Sequence, residues 1–445
     1  MQRLLALGTT LFIAVWVLTC ESEPPKGGEF YPIFSKDGAW CWFQDPRAVY
    51  VEGKNKRTYA GWMTHDGQLQ IGAYDHQTGS IQSFTLKKDW DIDDHNTLSI
   101  LVLPDRRLMV FYARHNQTGL FCRTSLKPEN ILEWGKELVV SDTPAITYSH
   151  PAFLKAENRF YVFWRGPSWK PTFASSADAE HWTQSEILIE EPGHEAPNIR
   201  PYTKIVSDGI STIHFAFTDG HPDSEPRNSI YYLRYQTGTF YKADGSKVGN
   251  MGNLPVLPSK SDVVYNGKDT GVRAWVWDIA LDAKGYPVIA YTRFPSTTDH
   301  RYHYARWNGK AWFDTEIVSG GKWFPQTRAG QEEREPYYSG GMALNHNNPS
   351  LVFLSRPING VFEIERWQTP DEGKSWTSSS ITRNSRLLNV RPIVPMGYTG
   401  AEDHVLWMHG QYVHYTDYRT DIRMTIEGNA TMPTKALVGA ETQRR

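Results

Sequence analysis

The stretch TYAGWMTH at 58–65 runs from a strand-like apolar segment into a short polar signature, and six more segments do the same. They are LMVFYARH (108–115), RFYVFWRG (159–166), TIHFAFTDG (212–220), PVIAYTRF (287–294), SLVFLSRP (350–357) and HVLWMHG (404–410). Their closing positions are Thr64, Arg114, Arg165, Asp219, Arg293, Arg356 and His409, at gaps of 50, 51, 54, 74, 63 and 53 residues. A period near 50 built on β-type strands marks a β-propeller with one blade per repeat. Upstream of each stands a second strand-like segment, such as DDHNTLSILVL (93–103), YSHPAFLKA (148–156) or VWDIALDA (276–283). Turn residues such as Asp208-Gly209 separate the two. Further segments such as PTFASS and WTQSEIL supply a third and fourth strand. The expected fold is all-β: a seven-bladed β-propeller of four-stranded antiparallel blades.

The organisation follows. Residues 1–19 read as an export signal, with Arg3 before an apolar stretch too short to span a membrane. Cys20 follows Val17-Leu18-Thr19 as at a bacterial lipoprotein cleavage site, which makes it the expected lipid anchor; ordinary cleavage nearby is the alternative. Residues 20–28 form a tether, 29–427 the propeller and 428–445 a tail. The expected location is the outer membrane, cell surface or periplasm, or else secreted. The last repeat lacks a fourth strand, and EFYPIFS (29–35) is the segment expected to supply it and close the ring. Lys242 to Asp269 is expected to be a surface loop. Cys41 and Cys122 are expected to be buried free thiols. Two turns resemble Asp boxes, at 369–376 and, degenerately, at 176–182; their Asp and Trp are expected to be structural.

A net charge of -2 gives no reason to expect nucleic acid as a partner, so an anionic ligand must meet a local cation cluster. The first two strands of a blade are antiparallel, which puts the start of one and the end of the next on the same face of the disc. That face gathers Arg114, Arg165, Arg200, Arg293, Arg356 and Arg391 with His95, His115, His150, Tyr148, Tyr202, Trp277 and Tyr338. Guanidinium forks suit carboxylates and sulfates, and aromatic faces suit sugar rings. Each arginine has an equally ordinary use as a tie to a neighbouring acid. The partner expected is an acidic sulfated polysaccharide, taken by a monomer that meets the membrane only through its anchor.

The motifs GAWCWFQDPR (38–47), DDHNTL (93–98), ARHN (113–116), TYSHP (147–151) and FWRG (163–166) resemble those of BNR-repeat propeller proteins of marine bacteria. They most resemble the seven-bladed ulvan lyases of polysaccharide lyase families 24 and 25. The resemblance implies β-elimination on ulvan, a polymer of rhamnose 3-sulfate and uronic acids. It implies a catalytic set of His95, His115, Tyr148 and Arg165, with Tyr202 as the alternative tyrosine. Asn96, Arg114, His150, Arg200, Tyr202, Trp277, Arg293 and Arg356 are the expected substrate contacts. No cofactor is required for such chemistry; metal ligands are left unassigned, and a structural metal ion stays open. Tyr148 as both base and acid, or a histidine as base, are both open. A sialidase-like hydrolase would need flanking carboxylates, and only Asp45, Asp219 and Asp278 align on this face. A glycan-binding lipoprotein without catalysis is the other rival.

Overall fold

In the computed structural model, residues 25–191, 199–324, 327 and 331–426 are described. Cys20, the export signal, most of the tether and residues 428–445 lie outside them. The described strands form seven antiparallel sheets. Their innermost strands are Ala48–Glu52, Leu98–Val102, Thr147–Leu154, Thr203–Ser207, Arg273–Leu281, Met342–Leu344 and Leu388–Ile393. This is a seven-bladed propeller whose blades follow one another in chain order. The second strand of each blade is covered on both faces by neighbouring blades, so it reads as an unbroken apolar run. Leu108–Ala113 (LMVFYA) is buried at every position, whereas the outermost Thr377–Ser380 (TSSS) is largely exposed.

The ring closes as the sequence suggests. Ile33–Ser35 pairs antiparallel with Asp417–Met424 and completes the seventh blade from the opposite end of the chain. Lys26 already bridges to Thr382, so the packed body reaches into the stretch assigned to the tether. Cys41 and Cys122 are buried and free. In the Asp-box turns, Asp371 Oδ1 accepts the Ser375 amide at 2.8 Å and Asp178 Oδ1 accepts that of His181 at 2.8 Å. Trp376 packs edge-on against Tyr304 of the preceding blade.

Two expectations need correction. Residues 242–269 are not a plain loop: Lys247–Asn250 and Asp262–Tyr265 extend the fourth blade to six strands. The inner strand of the fifth blade starts at Arg273, so Trp277 and Asp278 lie mid-strand beside a bulge, not at the mouth.

The centre of the ring is plugged. Trp42, on the segment leading into the first blade, stacks on Trp277 (4.4 Å, 26°) and meets Trp275 and Tyr338 edge-on. Arg391 lies over its ring, and the Trp40 indole N–H donates to the Arg391 carbonyl. Trp40, Trp42, Trp275 and Trp277 are each 2% exposed or less. Each such indole adds about 3 kcal/mol of apolar burial. With the axis filled, ligand chemistry is displaced to one side of the disc.

Candidate active site

That side is the mouth of blades two to four. Asp93, His95 and Asn96 lie on a single 3-10 turn, Asp94–Asn96, just before the second blade. Asp93 caps the turn by accepting the His95 amide at 2.9 Å. The same carboxylate holds both histidines: Oδ1 meets His95 Nδ1 at 2.6 Å and Oδ2 meets His115 Nδ1 at 2.9 Å. The two imidazoles stack at 4.1 Å and 12°. Asp93 therefore orients both rings through Nδ1. Asn96 Oδ1 accepts the His115 amide at 2.6 Å, and its amide nitrogen donates to the Trp90 carbonyl. Asn96, 2% exposed, thus positions His115.

Tyr148 and Arg165 face one another across the first two strands of blade three, where Thr147 pairs with Arg165. The register slips between Thr147 and His150, and Tyr148 sits at φ 64. A left-handed tyrosine costs about 1–3 kcal/mol and persists where the surroundings impose it. Here the bulge turns the phenol toward the histidines, with ring centroids 5.7 Å from His95 and 6.5 Å from His115. Arg165, 5% exposed, lies over Tyr148 at 4.8 Å. It donates to Tyr202 Oη (2.7 Å), Asn116 Oδ1 (2.5 Å) and Thr147 Oγ1 (3.1 Å). No carboxylate among the described residues pairs with it, and its buried Nε has no partner. Tyr415, from a turn of the seventh blade, closes over both imidazoles edge-on at 4.7 and 5.7 Å.

The electrostatics split the histidines. Burial opposes a charge on His95, but the Cys41 sulfur, Asp93 and Asp94 outweigh it and raise its pKa well above the ordinary value. Burial and the charge on His95 lower His115 to about 4, against the pull of Asp93. At neutral pH the stacked pair therefore carries one imidazolium and one free base. Burial, with Tyr202 and Cys41, lifts the Tyr148 phenol well above its usual range despite Arg165. Burial also opposes the Asp93 carboxylate, yet the two imidazoles hold its pKa below the ordinary range. Beneath them, Asp94 pairs with Arg391 and accepts from Tyr412 at 2.6 Å, a fully buried buttress from the last blade.

The other expected contacts divide. Arg200 stands beside the site, near Trp169. Arg114 is half-buried, over Trp90 and 3.4 Å from Asp91. Tyr202 is 4% exposed and serves Arg165. His150, 2% exposed, is behind the mouth; burial and Lys204 hold its pKa down at about 3. Trp277 belongs to the central plug, donating its indole N–H to Thr292. Arg293 pairs with Asp314, and Arg356 forks onto Glu365 at 2.7 and 3.3 Å. Trp277, Arg293 and Arg356 thus each have a partner in their own surroundings, whereas both ring nitrogens of His150 are buried without one. Asp93, Asn116, Trp169 and Tyr415 are the neighbours that a reading of strand ends passes over, since all four stand in turns.

Metal-type ligands gather in three groups among the described residues: Asp93, His95 and His115; Cys41, Asp94 and His95; and His221, Asp223 and Glu335. In the first the carboxylate is already spent on both imidazoles. In the third, burial lifts Asp223 to about 6 and Glu335 to about 7.

Comparison with known proteins bears on this geometry. A family model described as a BNR repeat-containing family member matches residues 57–319. Among solved structures, a polysaccharide lyase PL25 ulvan lyase bound to -[GlcA(1-4)Rha3S]- superposes with a TM-score of 0.66 at 16% identity, over 88% of this chain and 94% of that one. Polysaccharide lyase Uly1 gives 0.56 at 12% identity, over 88% and 92%. At these identities the likeness establishes a shared fold. No curated protein sequence matches. The period of the blades, the observed ring and the match over residues 57–319 agree: the chain belongs to the BNR repeat-containing family.

Proposed function

We propose that the protein is a polysaccharide lyase that cleaves ulvan, a sulfated polymer containing uronate, by β-elimination. The observation that carries this reading is Arg165: a buried guanidinium without an acid, laid over a phenol, beside two imidazoles locked by one carboxylate. Such a guanidinium wants an anion, and a uronate carboxylate fits its fork. The likeness in fold to polysaccharide lyases, one of them bound to -[GlcA(1-4)Rha3S]-, supports the choice of polymer.

The chemistry follows from protonation. The C5 proton of a uronate is weakly acidic because its carboxylate is already negative. Arg165 and the His95 imidazolium offset the second charge that builds on that group as the proton leaves. His115, neutral at pH 7 and held through Nδ1 by Asp93, presents Nε2 as the base. The C5–H pair becomes the C4=C5 bond, and the C4–O4 bond breaks. The departing O4 takes a proton from Tyr148, whose raised pKa keeps it in the acid form. The product is an oligosaccharide with an unsaturated uronate at its non-reducing end.

The three acids that align on this face are committed elsewhere. Asp45 is tied to Lys204 and Arg47, Asp278 to His346, and Asp219 to Tyr231 and Lys268. The test is incubation with ulvan while ultraviolet absorbance is followed. Chain shortening without absorbance would mean hydrolysis, and binding without shortening would mean a glycan-binding protein. Export and anchoring through Cys20 belong to the same proposal.

A further inference from the structure

We infer that Trp169 and Arg200 form a second sugar subsite beside Arg165, one that seats the sulfated neighbour of the reacting uronate; this rests on the lyase reading above. Trp169 closes the 3-10 turn Pro167–Trp169 that follows the Arg165 strand. Ser168 and Trp169 stand at φ 53 and 54, two successive non-glycine residues in the left-handed region. The turn is held in that form by its contacts. The Trp169 indole N–H donates to Asn116 Oδ1 at 3.1 Å, the same oxygen that accepts from Arg165 at 2.5 Å. The indole edge is thereby pinned to the guanidinium that takes the carboxylate. Lys170, next in the chain, donates from Nζ to the Ile199 carbonyl at 2.5 Å and so ties the approach to Arg200 to the same turn.

Trp169, like Tyr415, is partly exposed, where Tyr148, Tyr202, Trp275 and Trp277 are all buried. Its ring is open to a ligand. The Arg200 guanidinium stands 6.0 Å from the ring centroid. Among the described residues no carboxylate forms an ion pair with it, though Asp223 and Glu335 are near enough to feel its charge, and its buried Nε has no partner. An indole face covers the C–H face of a pyranose, and an unpaired fork beside it takes an oxyanion. In a polymer that alternates uronate with sulfated sugar, the oxyanion on the ring next to the uronate is a sulfate ester. A carboxylate from a more distant uronate is the competing source.

The test uses the full chain and two polymers, ulvan and the same ulvan after chemical desulfation, read by ultraviolet absorbance. Trp169→Ala should raise KM about tenfold with kcat within about threefold, and Trp169→Phe should restore most of it. Arg200→Ala should raise KM about tenfold on ulvan and leave the desulfated polymer nearly unaffected. A fall in kcat at Trp169→Ala with KM unmoved would overturn the subsite, since the indole would then serve only to place Asn116 and Arg165. Equal losses on both polymers at Arg200→Ala would overturn the sulfate assignment. If wild type releases no unsaturated product from either polymer, the lyase reading falls, and calorimetry with ulvan oligosaccharides decides the subsite. Binding that weakens in Trp169→Ala and prefers the sulfated ligand only while Arg200 is present upholds it; binding indifferent to both changes overturns it.

Discussion

Blades five and six carry arginine at the same strand ends as blade three, yet the three guanidiniums do different things. Arg293 is met by Asp314 and Arg356 by Glu365, both acids from outer strands of the same sheet. Arg165 has no such partner: the next strand of its blade, Pro171–Ser176 (PTFASS), contains no acid, and Glu186 of the outermost strand makes no ion pair with it. A matched guanidinium ties a blade together; an unmatched one in a buried place is stabilised fully only when an anion arrives. The repeat places arginine at four of these strand ends, Arg114 of blade two among them, and of the four only Arg165 has no acid partner among the described residues.

The contrast can be broken by substitution. Arg165→Met and Tyr148→Phe should each lower turnover on ulvan by roughly a thousandfold while thermal unfolding stays near wild type. Retained turnover at Arg165→Met would remove the distinction between the blades. Asp93→Asn should cost about a hundredfold in kcat, because both imidazoles lose their common acceptor. It should also move the alkaline limb of the pH–rate profile downward, since Asp93 helps to hold the proton on His95. In the wild type the acid limb should fall near pH 4: His115 is a free base above that value and is lost as a base when it protonates below it. Arg293→Met should do the reverse of Arg165→Met, losing about 2 kcal/mol of stability in chemical denaturation and changing turnover less than about threefold. Arg356→Gln should cost about 1 kcal/mol, the smallest effect of the series, with no change in KM.

The ring was legible because a strand covered on both faces must be apolar throughout, and seven such runs recur. Ring closure by residues 33–35 was legible from the missing outer strand of the last repeat. The extension of blade four was not, because Lys247–Asn250 and Asp262–Tyr265 are short edge strands without an apolar period. Trp277 was placed too near the strand start: RAW (273–275), outside the segment 276–283, continues the sheet and carries the indole into the plug. In the candidate site, residues at strand ends could be aligned by counting. Asp93, Trp169 and Tyr415 could not, since a turn has no period and its side chains are aimed by capping bonds and unusual φ values.

The closing strand has a consequence for the order in which the molecule can be assembled. Residues 33–35 are made early but have nothing to pair with until residues 417–424 exist. The buttress Asp94–Arg391 and the Tyr415 wall also join early residues to late ones. Contacts so distant along the chain form late and slowly. Blades two and three can therefore fold while the pocket between them still lacks its floor and one wall, and a nascent chain holds its polar residues in place only after the final blade docks. On the lyase reading, catalysis would then report completed synthesis, with no partly built ring able to cut polymer.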